Sequence, residues 1–374
     1  MPRVSVVIPM YNGLAHLSQF AESLNTALPT GSEVILVDDA STEPVIESFR
    51  DPSRAGQVYR LRNEKNLGYA GAVNRGIAIA TGDVIIQLNS DLILHEECIS
   101  RMLDLIGSIP NIGIVSSKLI YPTTGRTQSV GMAFGAHTKR HVYRHLPADH
   151  PLCTKTRRAQ IVTGATVAAT RSVMQAIGPL DEDLYNHNTD LDHCMRANQL
   201  HLRNFMCAES VAYHWHSQSG AARYARVAEA EAAFWSKWGQ KYEVDLGKYL
   251  GEALEVAIGA DPGLESAPFR LIDLTRSGDQ AIAMACLAAR WPDIAENMLS
   301  YRQMHTDTQH LLLPLITPSW LMTAPSPNIY LVDNFEQLTG NALWFRHRRE
   351  VVADELIVDL SACVLRSSDL LGLT

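Results

Sequence analysis

The chain has 374 residues, 46% hydrophobic and 19% charged, with a formal net charge of −8. That is enough apolar material for one sizeable core and a second, smaller one, and it excludes a disordered or fibrous chain. The negative balance gives no reason to expect a nucleic-acid partner, although whole-chain charge says little about a local groove.

Four apolar runs order the N-terminal half. Val4–Pro9 reads as a strand stopping at a proline, followed by Tyr11-Asn12-Gly13 and a helix to about Leu28. Glu33–Val37 is a second strand running into Asp38-Asp39-Ala40-Ser41-Thr42, and Val58–Leu61 a weaker third leading to Asn66-Leu67-Gly68. Asp83–Leu88 is the fourth and ends at Asn89-Ser90-Asp91. Strand, polar tip and helix in alternation is the rhythm of a mostly parallel sheet with helices on both faces, so all four tips are expected along one edge. Open α/β sheets place ligands at the carboxyl ends of their strands, which makes Asp91 a position for chemistry.

The residues at these tips have bland readings as well as functional ones. Asp38 and Asp39 offer side-chain acceptors for capping or a turn. Asn66–Gly71 opens a helix with small residues; it either lets a ligand approach backbone N–H groups at a positive helix end or simply packs helix on sheet. His214, beside Tyr213 and Trp215, is either a packed histidine or a metal ligand. Asp190 is either a solvated or capping carboxylate or a base, and Asp192 is spaced to pair with Arg196 one helical turn on.

Taken in order, Pro9-Met10-Tyr11-Asn12, Val37–Thr42, Asn66-Leu67-Gly68 with Asn74, and Asn89-Ser90-Asp91 resemble the family 2 glycosyltransferases of the GT-A fold. Thr163-Gly164-Ala165, Gly178–Glu182, Asp190-Leu191-Asp192, Tyr213-His214 and Phe234–Gly239 continue the family's order. The resemblance spans roughly residues 3–243, and within the family the chain looks most like bacterial enzymes of the rhamnosyltransferase type that build surface polysaccharides. Several spaced motifs in order are far more specific than any one alone.

The resemblance implies a donor site for a nucleotide-diphosphate sugar, UDP-hexose or dTDP-rhamnose, built from Pro9, Tyr11, Asp38, Asp39, Asn66, Gly68, Asn74, Asn89, Ser90 and Asp91. Asp38 and Asp39 would read the nucleoside, with Pro9 and Tyr11 as a wall beside the base. Asp91 and His214 would hold Mn²⁺ or Mg²⁺, which neutralises the departing pyrophosphate. Asp190 would be the base that takes the proton of the acceptor hydroxyl in an inverting transfer. The chain departs from the family twice. Thr189 stands where a second carboxylate is common before the base, and Asn89 stands where many relatives carry the first aspartate of the metal motif. Asn89 is common in the rhamnosyltransferase-like branch and implies weaker dependence on a tightly held metal, one that arrives with the donor. The acceptor would be a glycan or lipid-linked glycan. A noncatalytic subunit that binds nucleotide sugar or serves as a scaffold in a glycan-assembly complex is the alternative, and convergence of Asp91, Asp190 and His214 separates the two.

The six cysteines show no Cys-x-x-Cys spacing, which suits a reducing cytoplasm. No apolar stretch reaches the roughly 20 residues that span a bilayer, so membrane contact at the inner face would be peripheral. The basic run His137–His145 is a solvated excursion or an acceptor-side loop. A domain of residues 1–243 is expected to be followed by an extension, 244–374, mainly helical at first and then α/β. Helices are predicted over 278–290 and from Pro292 to about Met304, loops over 311–318 and 324–327, and strands at Ile329–Asp333 and Glu355–Leu360. The extension carries no catalytic motif; it reads as an acceptor-recognition or oligomerisation element, meeting a second copy or a partner enzyme, or as the opening of another module.

Overall fold

A computed structural model describes residues 2–215, 226–259, 270–273, 275, 298–300, 328–335, 338, 352 and 355–370. The described chain groups into two units, one of residues 1–132 and 145–243, the other of residues 133–144 and 244–374.

In the first unit the four apolar runs become β1 (Val4–Met10), β2 (Ser32–Asp38), β3 (Ala55–Arg62) and β4 (Val84–Leu88). Between them lie helices α1 (Leu14–Ala27), α2 (Val45–Ser48) and α3 (Gly68–Ile79). Then follow β5 (Leu92–Leu94), α4 (Cys98–Ser108), β6 (Ile112–Ile120), β7 (Thr127–Ser129), the paired strands β8 (Met132–Phe134) and β9 (Lys139–His141), which fall almost wholly in the second unit, and then β10 (Arg157–Arg158) and β11 (Thr166–Thr170). Helices α5 (Arg171–Ile177) and α6 (Thr189–Gln199), strand β12 (Arg203–His214) and helix α7 (Val227–Trp238) complete the unit. β1 runs one residue past the predicted stop at Pro9, which pairs with Val37.

The strand order is β10-β12-β6-β11-β4-β1-β2-β3, with β5 on β12 and β7 on β6. β4, β1, β2 and β3 are mutually parallel, β6 is parallel to β12, and β11 runs antiparallel between β4 and β6. The chain winds from β1 to β3 in one direction and returns to β4 on the other side of β1, so the order reverses between β1 and β4. Pro9–Tyr11 and Asn89–Asp91 both leave the sheet at that reversal.

Alternation along β1 divides its side chains between two layers. Val6, Ile8 and Met10 join Phe20 and Leu24 of α1 and Ile99 and Met102 of α4 in the main core. Val7 faces α3, where Gly76 leaves room: a β-carbon there would meet Val7 Cγ1 at 2.3 Å. Burying both faces explains why these strands read as unbroken apolar runs.

In the second unit, helix α8 (Leu246–Gly259) is joined by the excursion 133–144, although a single boundary near 243 is expected from the sequence. The excursion's polar groups are satisfied within this unit. Phe134 and Asp245 exchange hydrogen bonds of 2.8 and 3.1 Å, and the Tyr143 hydroxyl donates to Glu252 at 2.7 Å. Within the basic run Val142 and Tyr143 are buried, while His137 and His145 at its ends are exposed.

Five strands follow, β13 (Arg270–Asp273), β14 (Met298–Ser300), β15 (Asn328–Val332), β16 (Leu356–Asp359) and β17 (Cys363–Arg366), with a short helix α9 (Ser367–Leu370). Their order is β14-β13-β15-β16-β17, parallel except for the last pair. Two of these strands are predicted. Met298–Ser300 corrects the helix expected to reach Met304: its three residues pair with Leu271–Asp273, and tertiary pairing outweighs local propensity. The helix over 278–290 and the loops at 311–318 and 324–327 lie outside the described residues. Among the described residues no helix is long and apolar enough to cross a membrane. Cys98, Cys153, Cys194, Cys207 and Cys363 are buried thiols, none of them in a disulfide.

Candidate active site

The loop from β4 to β5 carries Asn89, Ser90 and Asp91. It is pinned by Asn89 N–H donating to Ala165 O at 3.0 Å and by Trp215 N–H donating to Asp91 O at 3.1 Å. These bonds bring the end of β12 to the loop, and His214 Nε2 lies 3.2 Å from Asp91 Oδ1. On the other side of the imidazole, Nδ1 lies 2.7 Å from Gln128 Oε1. Asn89 Oδ1 is buried and accepts no hydrogen bond among the described residues, a state that a ligand can relieve.

One carboxylate oxygen and one imidazole nitrogen form a donor set that suits Mn²⁺ and tolerates Mg²⁺. Adjacent ligands of an octahedral ion with bonds of about 2.1 Å lie about 3 Å apart, and the Asp91–His214 separation fits that geometry. No group of three or more His, Cys, Asp or Glu ligands occurs among the described residues. The remaining positions of an ion would fall to water and to oxygens from a bound ligand.

Asp190 opens α6. Its Oδ2 accepts from Gly164 N–H at 2.6 Å and its Oδ1 from Leu191 N–H at 3.0 Å. Gly164 is needed for this approach, since a β-carbon there would meet Asp190 Cβ at 2.8 Å and Oδ2 at 2.9 Å. Tyr69 ties the parts together. Its hydroxyl donates to Gly164 O at 3.1 Å, and burial first, then the charges of Asp190 and Asp91, push its phenol above the ordinary value. Gly164 thus bonds both Tyr69 and Asp190, its neighbour Ala165 holds Asn89 of the Asp91 loop, and Asp91 lies beside His214. The three residues picked out for chemistry converge.

The base of α6 is held rigidly. Asp192, fully buried, accepts from Arg196 Nε at 2.9 Å, Lys237 Nζ at 2.7 Å and Trp238 Nε1 at 2.8 Å, which includes the pairing its spacing predicts. Lys237 also reaches Asp181 at 3.0 Å; burial raises the Asp181 carboxyl, but the Lys237 bond and charge outweigh this and hold it below the ordinary value. His193 is buried against Gly178 O at 3.0 Å, and burial pushes its imidazole down to about 4.

The remaining donor-site candidates are placed differently from one another. Pro9 and Tyr11 are half-buried at the tip of β1. Asp38 and Asp39 are buried and engaged within the protein. Asp38 bonds to Ser41 N–H at 2.9 Å and pairs with Arg62. Asp39 accepts from Asn63 Nδ2 at 2.6 Å, Leu67 N–H at 2.8 Å and Gly68 N–H at 2.8 Å; burial lifts its carboxyl above the ordinary value, those bonds pull against the rise, and Asp38 adds to it. Tyr69 N–H and Ala70 N–H go to Asn186 Oδ1 at 2.7 Å and Tyr185 O at 3.1 Å. The start of α3 is thereby capped from inside, which corrects the expectation that it offers these N–H groups to a ligand. Asn74 clasps α3 to the segment leading to Asp190: Nδ2 donates to Leu180 O at 2.9 Å and to Glu182 at 3.0 Å, while Oδ1 accepts from Leu180 N–H at 2.8 Å. It is a brace behind the site, not a group lining it.

Tyr69, Gln128 and Tyr185 are site residues that sequence reasoning missed. Tyr185 adopts a left-handed φ of 55°, donates to Asn66 Oδ1 at 2.5 Å and has the Arg226 guanidinium 5.4 Å above its ring. Burial, and then the nearby Asp39 and Tyr11, raise its phenol. It therefore stands among the nucleoside-side candidates, although it belongs to the acidic segment. The only sequence signal was an aromatic residue just before the helix of Asp190.

A mostly parallel sheet with its strand order reversed beside these loops is the arrangement of the GT-A fold. The solved structure of GalNAc-T7 with UDP, GalNAc and Mn²⁺ shares the fold, with a TM-score of 0.50 at 15% identity over 68% of this chain and 52% of that one. Residues 5–178 match the family model described as Glycosyl transferase family 2. It is 28% identical over 247 residues to the O-antigen biosynthesis protein RfbC of Myxococcus xanthus, covering 63% of this chain and 18% of that protein. It is also 28% identical over 227 residues to the undecaprenyl-phosphate 4-deoxy-4-formamido-L-arabinose transferase of Aeromonas hydrophila, covering 53% of this chain and 69% of that protein. The chain thus spans less than a fifth of the length of the Myxococcus relative.

Proposed function

We propose that this domain transfers a hexose from a nucleotide-diphosphate sugar, UDP-hexose or dTDP-rhamnose, to a hydroxyl of a growing surface glycan, with inversion at the anomeric carbon. The observation that carries this reading is that the Gly164–Ala165 segment bonds both Asp190 and the loop of Asp91, which lies beside His214, at the reversal of strand order. Asp91 and His214 would hold Mn²⁺ or Mg²⁺, which supplies charge neutralisation for the departing pyrophosphate. Asp190, oriented by the N–H groups of Gly164 and Leu191, would take the proton of the acceptor hydroxyl. Pro9, Tyr11 and Tyr185 would enclose the base, with Asp38 and Asp39 shaping the pocket through the bonds they make. The undecaprenyl-phosphate transferase of Aeromonas makes a lipid-linked acceptor at the inner membrane face the chemistry to try alongside a free glycan.

The test is calorimetric titration with UDP, dTDP, GDP and their sugars, each with and without Mn²⁺. Binding of one nucleotide that requires metal and disappears in Asp91→Ala is the expected result and names the donor class. If no nucleotide binds under any condition, the transferase reading fails and a noncatalytic scaffold takes its place.

A further inference from the structure

Gln128 has no role in the reading above, yet it makes the contact that decides what His214 can do. It sits in β7, whose register against β6 slips between the pairs Leu119↔Ser129 and Ile120↔Thr127. Such a slip leaves one extra residue on the bulged strand and re-aims its side chain. Here that residue is Gln128, 4% exposed, and it turns toward His214, 5% exposed, at the end of β12.

Two bonds link the pair in opposite senses. Gln128 Nε2 lies 3.4 Å from the His214 carbonyl oxygen, and Gln128 Oε1 lies 2.7 Å from His214 Nδ1. The carbonyl can only accept, so it requires the nitrogen end of the amide to face it. The oxygen end then faces Nδ1, and an amide oxygen can only accept, so Nδ1 must carry the proton. A neutral imidazole protonated at Nδ1 presents a lone pair at Nε2, the atom 3.2 Å from Asp91 Oδ1.

We propose that Gln128 is a positioning residue that fixes His214 as the Nδ1–H tautomer and so aims the Nε2 lone pair at the ion position beside Asp91. Hydrogen bonding of this kind to the far nitrogen of a histidine ligand sets ring orientation and ligand strength. A backbone carbonyl thus dictates an amide orientation, the amide dictates a tautomer, and the tautomer dictates a donor atom. The inference rests on the reading of Asp91 and His214 as a metal pair, but its first link stands apart from that reading and can be measured without metal.

The test has two arms on the full chain. In the first, the histidines are labelled with ¹⁵N and the metal-free protein is examined by long-range ¹H–¹⁵N correlation at about pH 8, above the ordinary imidazole range, with His214 assigned by loss of its signals in His214→Gln. The expected pattern is a proton on Nδ1, lost or mixed in Gln128→Leu and retained in Gln128→Glu, which keeps the acceptor. In the second, Mn²⁺ binding in the presence of UDP or dTDP is followed by the electron paramagnetic resonance of free Mn²⁺. Gln128→Leu should weaken binding about 10–100-fold, with Gln128→Glu recovering most of it. A proton on Nε2 in the parent protein, or a Gln128→Leu protein with unchanged tautomer and unchanged Mn²⁺ affinity, overturns the proposal. If the parent binds no Mn²⁺ with either nucleotide, the metal reading falls, while the tautomer spectra still decide the role of Gln128.

Discussion

The Tyr185 ring lies over the α-carbon of Gly68 so closely that a β-carbon built there would meet Tyr185 Cδ2 at 2.3 Å. Gly68 also has a φ of +79°, so two separate constraints exclude a side chain. Gly68→Ala should lose about 1–2 kcal/mol to the backbone conformation and about 1–3 kcal/mol more to the displaced ring. In a Tyr185→Ala background only the backbone part remains. Urea denaturation of the four proteins closes the cycle, and equal losses in both backgrounds would show that the ring does not press on Gly68.

Asp192 is a buried anion shared by one guanidinium, one ammonium and one indole N–H, and it fixes α7 against α6. Its cationic partners are 19% and 39% exposed, so water compensates part of what they lose when the carboxylate is removed. Asp192→Ala is expected to cost about 2–4 kcal/mol, toward the lower end for breaking a buried pair. Asp192→Asn keeps an acceptor for Trp238 Nε1 and should cost less. Thermal and urea unfolding of the two variants measure the difference; equal costs would assign the whole effect to charge.

Much of the first unit was legible because its central strands are buried on both faces, which writes them as unbroken apolar runs. The polar tips of β1, β2 and β4 then followed from strand direction. What could not be read were contacts made across the sheet. Gln128 reaches His214 only because a bulge turns it, and nothing in Thr127-Gln128-Ser129 announces a bulge. Asp39 looks like a ligand-reading aspartate or a capping one until the N–H groups of Leu67 and Gly68 are seen on it. The excursion 133–144 joins the second unit through Tyr143, whose partner Glu252 lies far along the chain.

His193 and Asp359 should give the two units opposite responses to acid. The His193 imidazole is pushed down to about 4 from 6.5, so between those values the unfolded chain binds more protons than the folded one. Stability of the first unit is therefore full above about 6.5 and falls as pH drops toward 4, by about 3 kcal/mol in all. Burial pushes the Asp359 carboxyl up to about 6 from 3.8, against bonds from Ser361 and the nearby Arg140. Its contribution is present below about 3.8 and is lost as pH rises through about 6, so acid stabilises the second unit. Calorimetric scans from about pH 7 to 4 should move the two transitions in opposite directions, and His193→Gln should flatten the first trend. Transitions that shift together, unaltered by His193→Gln, would contradict both assignments.

Asp190 and Gly164 offer the sharpest separation of chemistry from binding. Asp190→Asn keeps the shape of the side chain and an oxygen for the Gly164 N–H, but an amide cannot take a proton from an acceptor hydroxyl. Turnover should fall by about 10²–10⁴-fold, while calorimetric affinity for the donor nucleotide is nearly unchanged. Asp91→Ala should instead weaken metal-dependent donor binding along with turnover. Gly164→Ala leaves the carboxylate chemically intact and moves it, because the added methyl falls 2.8 Å from Asp190 Cβ. A displacement near 1 Å can cost about 10²-fold in rate, so Gly164→Ala should resemble Asp190→Asn in kcat and keep the parent's donor affinity. If Asp190→Asn turns over normally, Asp190 is not the base. If it is inactive while Gly164→Ala is fully active, the placement of the carboxylate by Gly164 does not limit the transfer.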